Sequence, residues 1–311
     1  MTNPAISRLT AFGVVLQLCS ILCFADEPQS LTPDAMFPEL VECRIGDLGF
    51  QIDGPKRWTL SGIDYKNQSV ATRDSAYGTV LNIEGVGLLG TAHFLDIPGR
   101  PGGVEKENVT GLQFIVDGAP VSSNVRQLHL AGQSFQMHRT STIRSVQLHS
   151  RVSVHNDVLI ETVRLQTNTE TRLKICYPLM YAWSPEMTHY LFGDESGVQK
   201  RGQFLATDAP TAEGLERTAR WMAVYDAAHQ CGAVCRLQQQ PASEDVWLQY
   251  TDAPDVYRKL RLMSFSEKTM PAGFDGTYQT AVGFFIAEKA AWEEAAVNTL
   301  TKLKGVTESK R

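Results

Sequence analysis

Histidines and arginines set two residues apart are the groups in this chain best placed to do chemistry. In "SVQLHSRVSVH" (145–155), His149, Arg151 and His155 alternate with Val146, Leu148, Val152 and Val154. That period of two puts the apolar set on one face of a strand and the imidazoles and guanidinium on the other. A second pair, His138 and Arg139, lies in "FQMHRTST" (135–142), and His93 closes "GLLGTAHF" (87–94), where glycine and small neighbours permit close backbone approach. Histidine moves protons near neutral pH, and arginine clamps a carboxylate or a pair of hydroxyls through its fork of N–H donors. Aromatic groups for stacking on a sugar ring stand nearby in "YAWSPEMTHYLFG" (181–193): Tyr181, Trp183 and His189. The expected site therefore has His93 or His149 as proton carrier. Substrate would be held by His138, Arg139, Arg151, Tyr181, Trp183 and His189. The same alternation also describes any solvated strand, so a face without chemistry fits these residues too.

Strands must position these groups. "VLIETVRLQT" (158–167) follows Asn156-Asp157, a hairpin signal. "TRLKICYPLMYAW" (171–183) reads as a further strand with Leu173, Ile175 and Tyr177 on one face. More strands are expected at 79–94, 111–117, 125–130, 134–139, 220–226, 232–239, 245–250, 257–265 and 277–287. Turns are expected at Asp117-Gly118, Ala131-Gly132 and Asp275-Gly276, and a loop over 207–220. The clear helical segment is "AEKAAWEEAAVNTLTKLKG" (287–305), with Trp292, Ala296, Leu300 and Leu303 at helical spacing and Gly305 as a stop. About a dozen antiparallel strands and one late helix imply an all-β fold, a large two-sheet sandwich.

Composition narrows the function. With 311 residues, 43% hydrophobic and 20% charged, the chain can bury a substantial core. A net charge of −5 without any Lys/Arg run argues against nucleic acid as a partner. "AFGVVLQLCSILCF" (11–24) is short for a membrane span, and Cys23 and Ala25 suit a cleavage site, so 1–25 reads as a signal peptide. An exported protein (periplasmic or secreted) with no membrane attachment after processing is the expectation. Residues 26–40 read as a linker and 41–311 as a single sandwich domain. Cys231 and Cys235, four extended residues apart, sit too far from each other to bridge directly, and Cys43–Cys176 is the remaining disulfide pairing. No HExxH, paired CxxC, Gly-x-Ser-x-Gly, P-loop or dinucleotide fingerprint occurs, so neither a metal nor a cofactor is expected.

The stretches "GLLGTAHF" (87–94), "LQFIVDGAPV" (112–121), "ICYPLMYAW" (175–183) and "RWMAVYDAAHQCGAVCRL" (220–237) together resemble the galactose-mutarotase-like supersandwich superfamily. That group includes aldose epimerases and domains attached to polysaccharide lyases. The resemblance covers most of 45–287 in strand order and texture. It implies a sugar-facing concave sheet carrying two histidines and a late carboxylate. By that resemblance His93 is the candidate for the first histidine, the place of the second shows Tyr181, and Asp275 and Glu288 are candidates for the late carboxylate. The expected function is binding or processing of a sugar or glycan, by epimerisation or by β-elimination from a uronic acid. The alternative is a non-catalytic binding or structural protein of the envelope.

Overall fold

The computed structural model describes residues 37–73, 78–90, 106–204, 211–214, 217–243, 245–253 and 255–306, with backbone alone over 211–214. Strands dominate, in three sheets. The ten-stranded sheet runs, in spatial order, β16 (Gly197–Gln203), β15 (His189–Asp194), β18 (Trp221–Asp226), β19 (Cys231–Gln239), β23 (Phe274–Ile286), β12 (Val158–Thr167), β11 (Val146–His155), β10 (Ser134–Ile143), β7 (Asn108–Val116) and β8 (Ala119–Val121). The nine-stranded sheet runs β17 (Thr211–Gly214), β20 (Trp247–Ala253), β21 (Tyr257–Met263), β14 (Met180–Trp183), β4 (Gln68–Ala71), β3 (Thr59–Tyr65), β2 (Leu48–Asp53), β1 (Leu40–Ile45) and β9 (Gln127–Gly132). A small sheet holds β22 (Lys268–Met270), β13 (Thr171–Tyr177), β5 (Val80–Ile83) and β6 (Gly87–Gly90). Pairing is antiparallel except between β1 and β9.

The main core lies between the two large sheets. Phe135, Met137, Val152, Val154, Val163 and Leu165 of one meet Phe50, Ile52, Tyr181, Leu260 and Leu262 of the other. Each set comes from alternate positions of its strand, as period-two burial requires. The Lys66-Asn67, Asp117-Gly118 and Asn156-Asp157 pairs all take positive φ, the geometry that matches tight hairpins to strand twist.

The late helix, α1 (Trp292–Lys304), forms as its spacing predicts. Glu293 and Glu294 occupy its first turn and Lys302 and Lys304 its last, in the sense that suits the helix dipole. Its buried edge covers the outer face of the ten-stranded sheet: Trp292, Ala296, Leu300 and Leu303 pack on Ile160, Trp221, Tyr225, Ala281 and Phe285. Gly283 lets it approach; a Cβ there would meet Thr299 Cγ2 at 2.6 Å. No described helix is long and apolar enough to cross a membrane.

Four local expectations change. The 171–183 segment is two strands in different sheets, broken at Pro178, which has no N–H for a ladder. Asp275-Gly276 lies inside β23 rather than at a turn, and β17 adds an edge strand within the expected 207–220 loop. Cys43, Cys176, Cys231 and Cys235 are all buried and none forms a disulfide, so no Cys43–Cys176 bridge forms.

Candidate functional site

The strands bearing His138 and His149 are neighbours. β10 and β11 pair so that His138 lies opposite Arg151, and His149 opposite Thr140. Gln136 bridges the pair: its Oε1 accepts from Arg151 Nη2 at 3.0 Å and is 3.4 Å from His138 Nε2. The polar row continues outward through Thr162 and Gln279, joined by a 3.0 Å hydrogen bond. Burial, and then the Arg151 charge, hold the His138 imidazole below its ordinary range. One register away, Arg164 donates to Asp275 through Nε (2.7 Å) and Nη2 (2.5 Å). Those bonds hold the Asp275 carboxyl below the usual range, with His149 adding a small pull. Asp275 is thus a pinned carboxylate. This outer face carries polar groups in ladders beside the aromatic cluster that α1 covers.

The other expected residues lie elsewhere. Arg139 has the opposite parity to His138 and points into the core, 4% exposed. Tyr181 and Trp183 are also core residues, each 1% exposed, with rings stacked at 5.1 Å and 7°. Their strand is buried throughout: 181 and 183 point to the main core, and 180 and 182 share the opposite face with Arg261 and Lys259. His189 sits on β15, five strands from β11, or roughly 24 Å at ordinary strand spacing. It packs against Trp292 and Tyr225. His93 lies outside the described residues. Glu288 stands just before α1, near Tyr225, the ring against which His189 packs.

Arg139 and Tyr181 belong to a polar cluster inside the sandwich. Arg139 donates to Arg57 O (2.5 Å) and Ser150 Oγ (3.3 Å), and its Nη2 is 3.3 Å from Glu107 Oε1, which also accepts from Ser141 Oγ. The Arg57 carbonyl is delivered by two successive left-handed residues, Arg57 and Trp58 (φ 60° and 52°). Tyr181 reaches Thr280 Oγ1 at 2.8 Å and also the Glu161 carboxyl. Burial pushes Glu161 up to about 7, against the smaller opposing pulls of Tyr181 and Arg139. The cavity beside Arg139, Ser150 and Glu161 measures about 20 Å³. That is room for one water and far too little for a sugar ring.

A second polar assembly was not anticipated from the sequence. It lies on the outer face of the nine-stranded sheet where the small sheet meets it. Tyr257, Lys259 and Arg261 alternate along β21 and share that face with Gln249 and Thr251 of β20 and with Met180 and Ala182 of β14. The Arg261 guanidinium lies over the Tyr177 ring of β13, 5.0 Å from its centroid. It donates to Tyr177 Oη at 3.4 Å and to Thr251 Oγ1. The Lys259 ammonium lies 5.1 Å from the Tyr257 ring centroid. Lys259 is only 4% exposed, and burial, then the Arg261 charge, push its amine down to about 7. Apolar support comes from Val80, Tyr177, Met180 and Met263, with Trp247 at the margin. Two tyrosine rings, a guanidinium, an amine that exchanges its proton near neutrality, and flanking amide and hydroxyl groups are the parts of a site for an anionic, ring-bearing ligand. The sequence signal was "VYRKLRLMSF" (256–265), three cations on one strand of an acidic chain. It was obscured because Arg258, the middle-parity cation, faces inward to a buried pair with Asp252.

Among the described residues no group of three or more metal-ligating side chains gathers. The sequence matches no family model and no curated protein. Among solved structures, it resembles the galactosidase domain of an alpha-galactosidase-sucrose kinase, with TM-score 0.51, 9% identity and 81% of this chain covered. The chain spans 42% of the length of that structure. A galactose mutarotase-like protein from Lactobacillus casei matches with TM-score 0.45, 8% identity and 79% of this chain against 100% of its own. A putative aldose 1-epimerase from Escherichia coli K12 matches with TM-score 0.41, 8% identity and 79% against 99%. At such identities a match speaks to architecture alone.

Proposed function

We propose that this protein binds an acidic carbohydrate on the Tyr177–Arg261–Lys259 face. The observation that carries the reading is Arg261, held over the Tyr177 ring and bonded to Tyr177 and Thr251 at a junction of two sheets. A guanidinium anchored in this way loses little freedom on meeting a carboxylate, and pairs with it as a planar fork. Tyr257 and Trp247, both partly exposed, offer rings for a sugar face. The fold it shares with a galactosidase domain supports a carbohydrate as ligand. The reading includes export, which rests on the apolar run 11–24 and the small residues before position 26.

A glycan array of the mature chain, wild type beside Arg261→Ala, tests the assignment. Signal on uronic-acid or sulfated glycans that falls at least tenfold in the variant is expected. Signal confined to neutral glycans, or unchanged in the variant, removes the anion-binding role. Absence of any glycan signal favours the non-catalytic structural alternative.

A further inference from the structure

We infer that the interior of the sandwich holds one bound water, shared by Arg139 and Glu161. This site is separate from the Tyr177–Arg261 face and stands whether or not that face binds a glycan.

Two buried polar atoms point to it. Arg139 and Glu161 are 4% and 7% exposed. Arg139 sets its Nη1 and Nη2 on Arg57 O, Ser150 Oγ and Glu107, yet its Nε–H meets no protein acceptor. Glu161 meets Tyr181 through its carboxyl, yet its Oε2 meets no protein donor. Leaving such atoms buried and unpaired is costly, and folded proteins pair nearly all of them. The two residues stand on β10 and β12, either side of β11, roughly 10 Å apart across the sheet. Their side chains line one cavity together with Ser150 of β11, which lies directly opposite Arg139 in the register.

Size and chemistry select the occupant. The cavity measures about 20 Å³. A water needs about 10–15 Å³, so one fits and two do not. The occupant must accept from Arg139 and donate to Glu161. A sodium or ammonium ion cannot accept from a guanidinium N–H, and a chloride ion cannot donate to a carboxylate. Water does both, and Ser150 Oγ gives it a third partner, the usual number for an interior water. It also suits either state of Glu161, since it donates to the carboxylate and accepts from the acid. With the water in place, Arg139, Ser150 and Glu161 form one network across three strands. Residues whose types suit a sugar site then serve the interior of the sandwich instead.

The test is a high-resolution crystal structure of the whole chain, with a second data set at long wavelength. Expected is a single density peak at hydrogen-bond distance, roughly 2.7–3.2 Å, from both Arg139 Nε and Glu161 Oε2, with no anomalous signal. In solution, the Arg139 Nε–H proton should show a nuclear Overhauser effect to water with the sign of a long-lived, protein-bound molecule. An empty cavity, a side chain that closes it, or a peak with the anomalous signal of chloride overturns the inference. So does an Arg139 Nε–H that shows no such effect. Glu161→Leu removes the acceptor and should lose the peak. A peak that stays in this variant means that Arg139 and Ser150 hold the water alone, which overturns the sharing. Should the variant fail to fold, the two wild-type measurements decide.

Discussion

Arg261 of the nine-stranded sheet lies flat over Tyr177 of the small sheet, its guanidinium carbon 5.0 Å from the ring centroid. The contact ties two sheets together and fixes a cation at their junction. Because Pro178 ends one strand and Met180 begins the next in another sheet, Tyr177 turns toward β21 instead of continuing down its own ladder. The anion-binding reading depends on that corner.

Arg261→Lys should recover part of the affinity lost in Arg261→Ala. An ammonium keeps the charge but neither the planar fork nor the stacking on Tyr177. The expected order for an acidic glycan is wild type, then Lys, then Ala, with at least tenfold between the ends. Titration calorimetry reads it. Equal affinities for the two variants would mean that charge alone is irrelevant at this position.

The polar row on the ten-stranded sheet gives the opposite expectation. His138→Ala with Arg151→Ala removes its two central groups, yet should leave affinity for acidic glycans within about twofold. A tenfold loss in this double variant would transfer the site to that face. Stability should change little, since these groups are only partly buried and bonded to each other and to Gln136.

Two buried groups give stability an unusual dependence on pH. The folded Glu161 carboxyl titrates at about 7, against 4.5 for the ordinary group. The folded chain thus holds this proton more tightly than the unfolded one. The contribution is complete below about pH 4.5 and is lost as pH rises through 7, by about 3 kcal/mol at most. Lys259 is the reverse: lowered from 10.5 to about 7, it contributes stability above pH 10.5 that is lost as pH falls through 7. Together the two place a minimum near neutrality. Glu161→Gln should flatten the acidic arm and Lys259→Met the basic one, as followed by denaturant midpoint across pH 4–10. A wild-type arm that persists in its own variant would assign that arm to other groups.

Asp252 pairs with Arg258 inside the sandwich, where their side chains are 3% and 9% exposed. Asp252→Ala strands the arginine and should cost roughly 3–5 kcal/mol, measured by chemical denaturation. A cost below about 1 kcal/mol would mean that Arg258 finds another partner, with Met187 O, already 3.2 Å from its Nε, the nearest.

Much of the fold was legible because it rests on alternation. Val146 to Val154 against Gln147 to His155 gave β11, and Trp292, Ala296, Leu300 and Leu303 gave the buried edge of α1. Register was legible in part: Asn156-Asp157 makes the hairpin that sets β11 against β12. Sheet membership was not. Nothing local in 171–183 tells that Tyr177 and Tyr181 serve different sheets, and the break at Pro178 acts only through pairing partners far along the chain. Strands β3 and β16 lack alternation and carry glycine, and they form by pairing with neighbours. The site was hardest to read. Arg139, Tyr181 and Trp183 have the residue types of a sugar site but inward parity, whereas Lys259 and Arg261 sit in a strand where both parities carry a cation. Parity against the core, which needs the register of both flanking strands, separates the two cases.

The measurement that bears most directly on the central claim is a calorimetric titration of the mature chain with an oligogalacturonate and with its carboxyl-reduced, neutral counterpart. The two ligands differ only in the group that Arg261 is assigned to hold. The account predicts binding at least tenfold tighter for the acidic form, about 1.4 kcal/mol, and a gap that closes in Arg261→Ala. Equal affinity for both forms, or a gap that survives in Arg261→Ala, would contradict it.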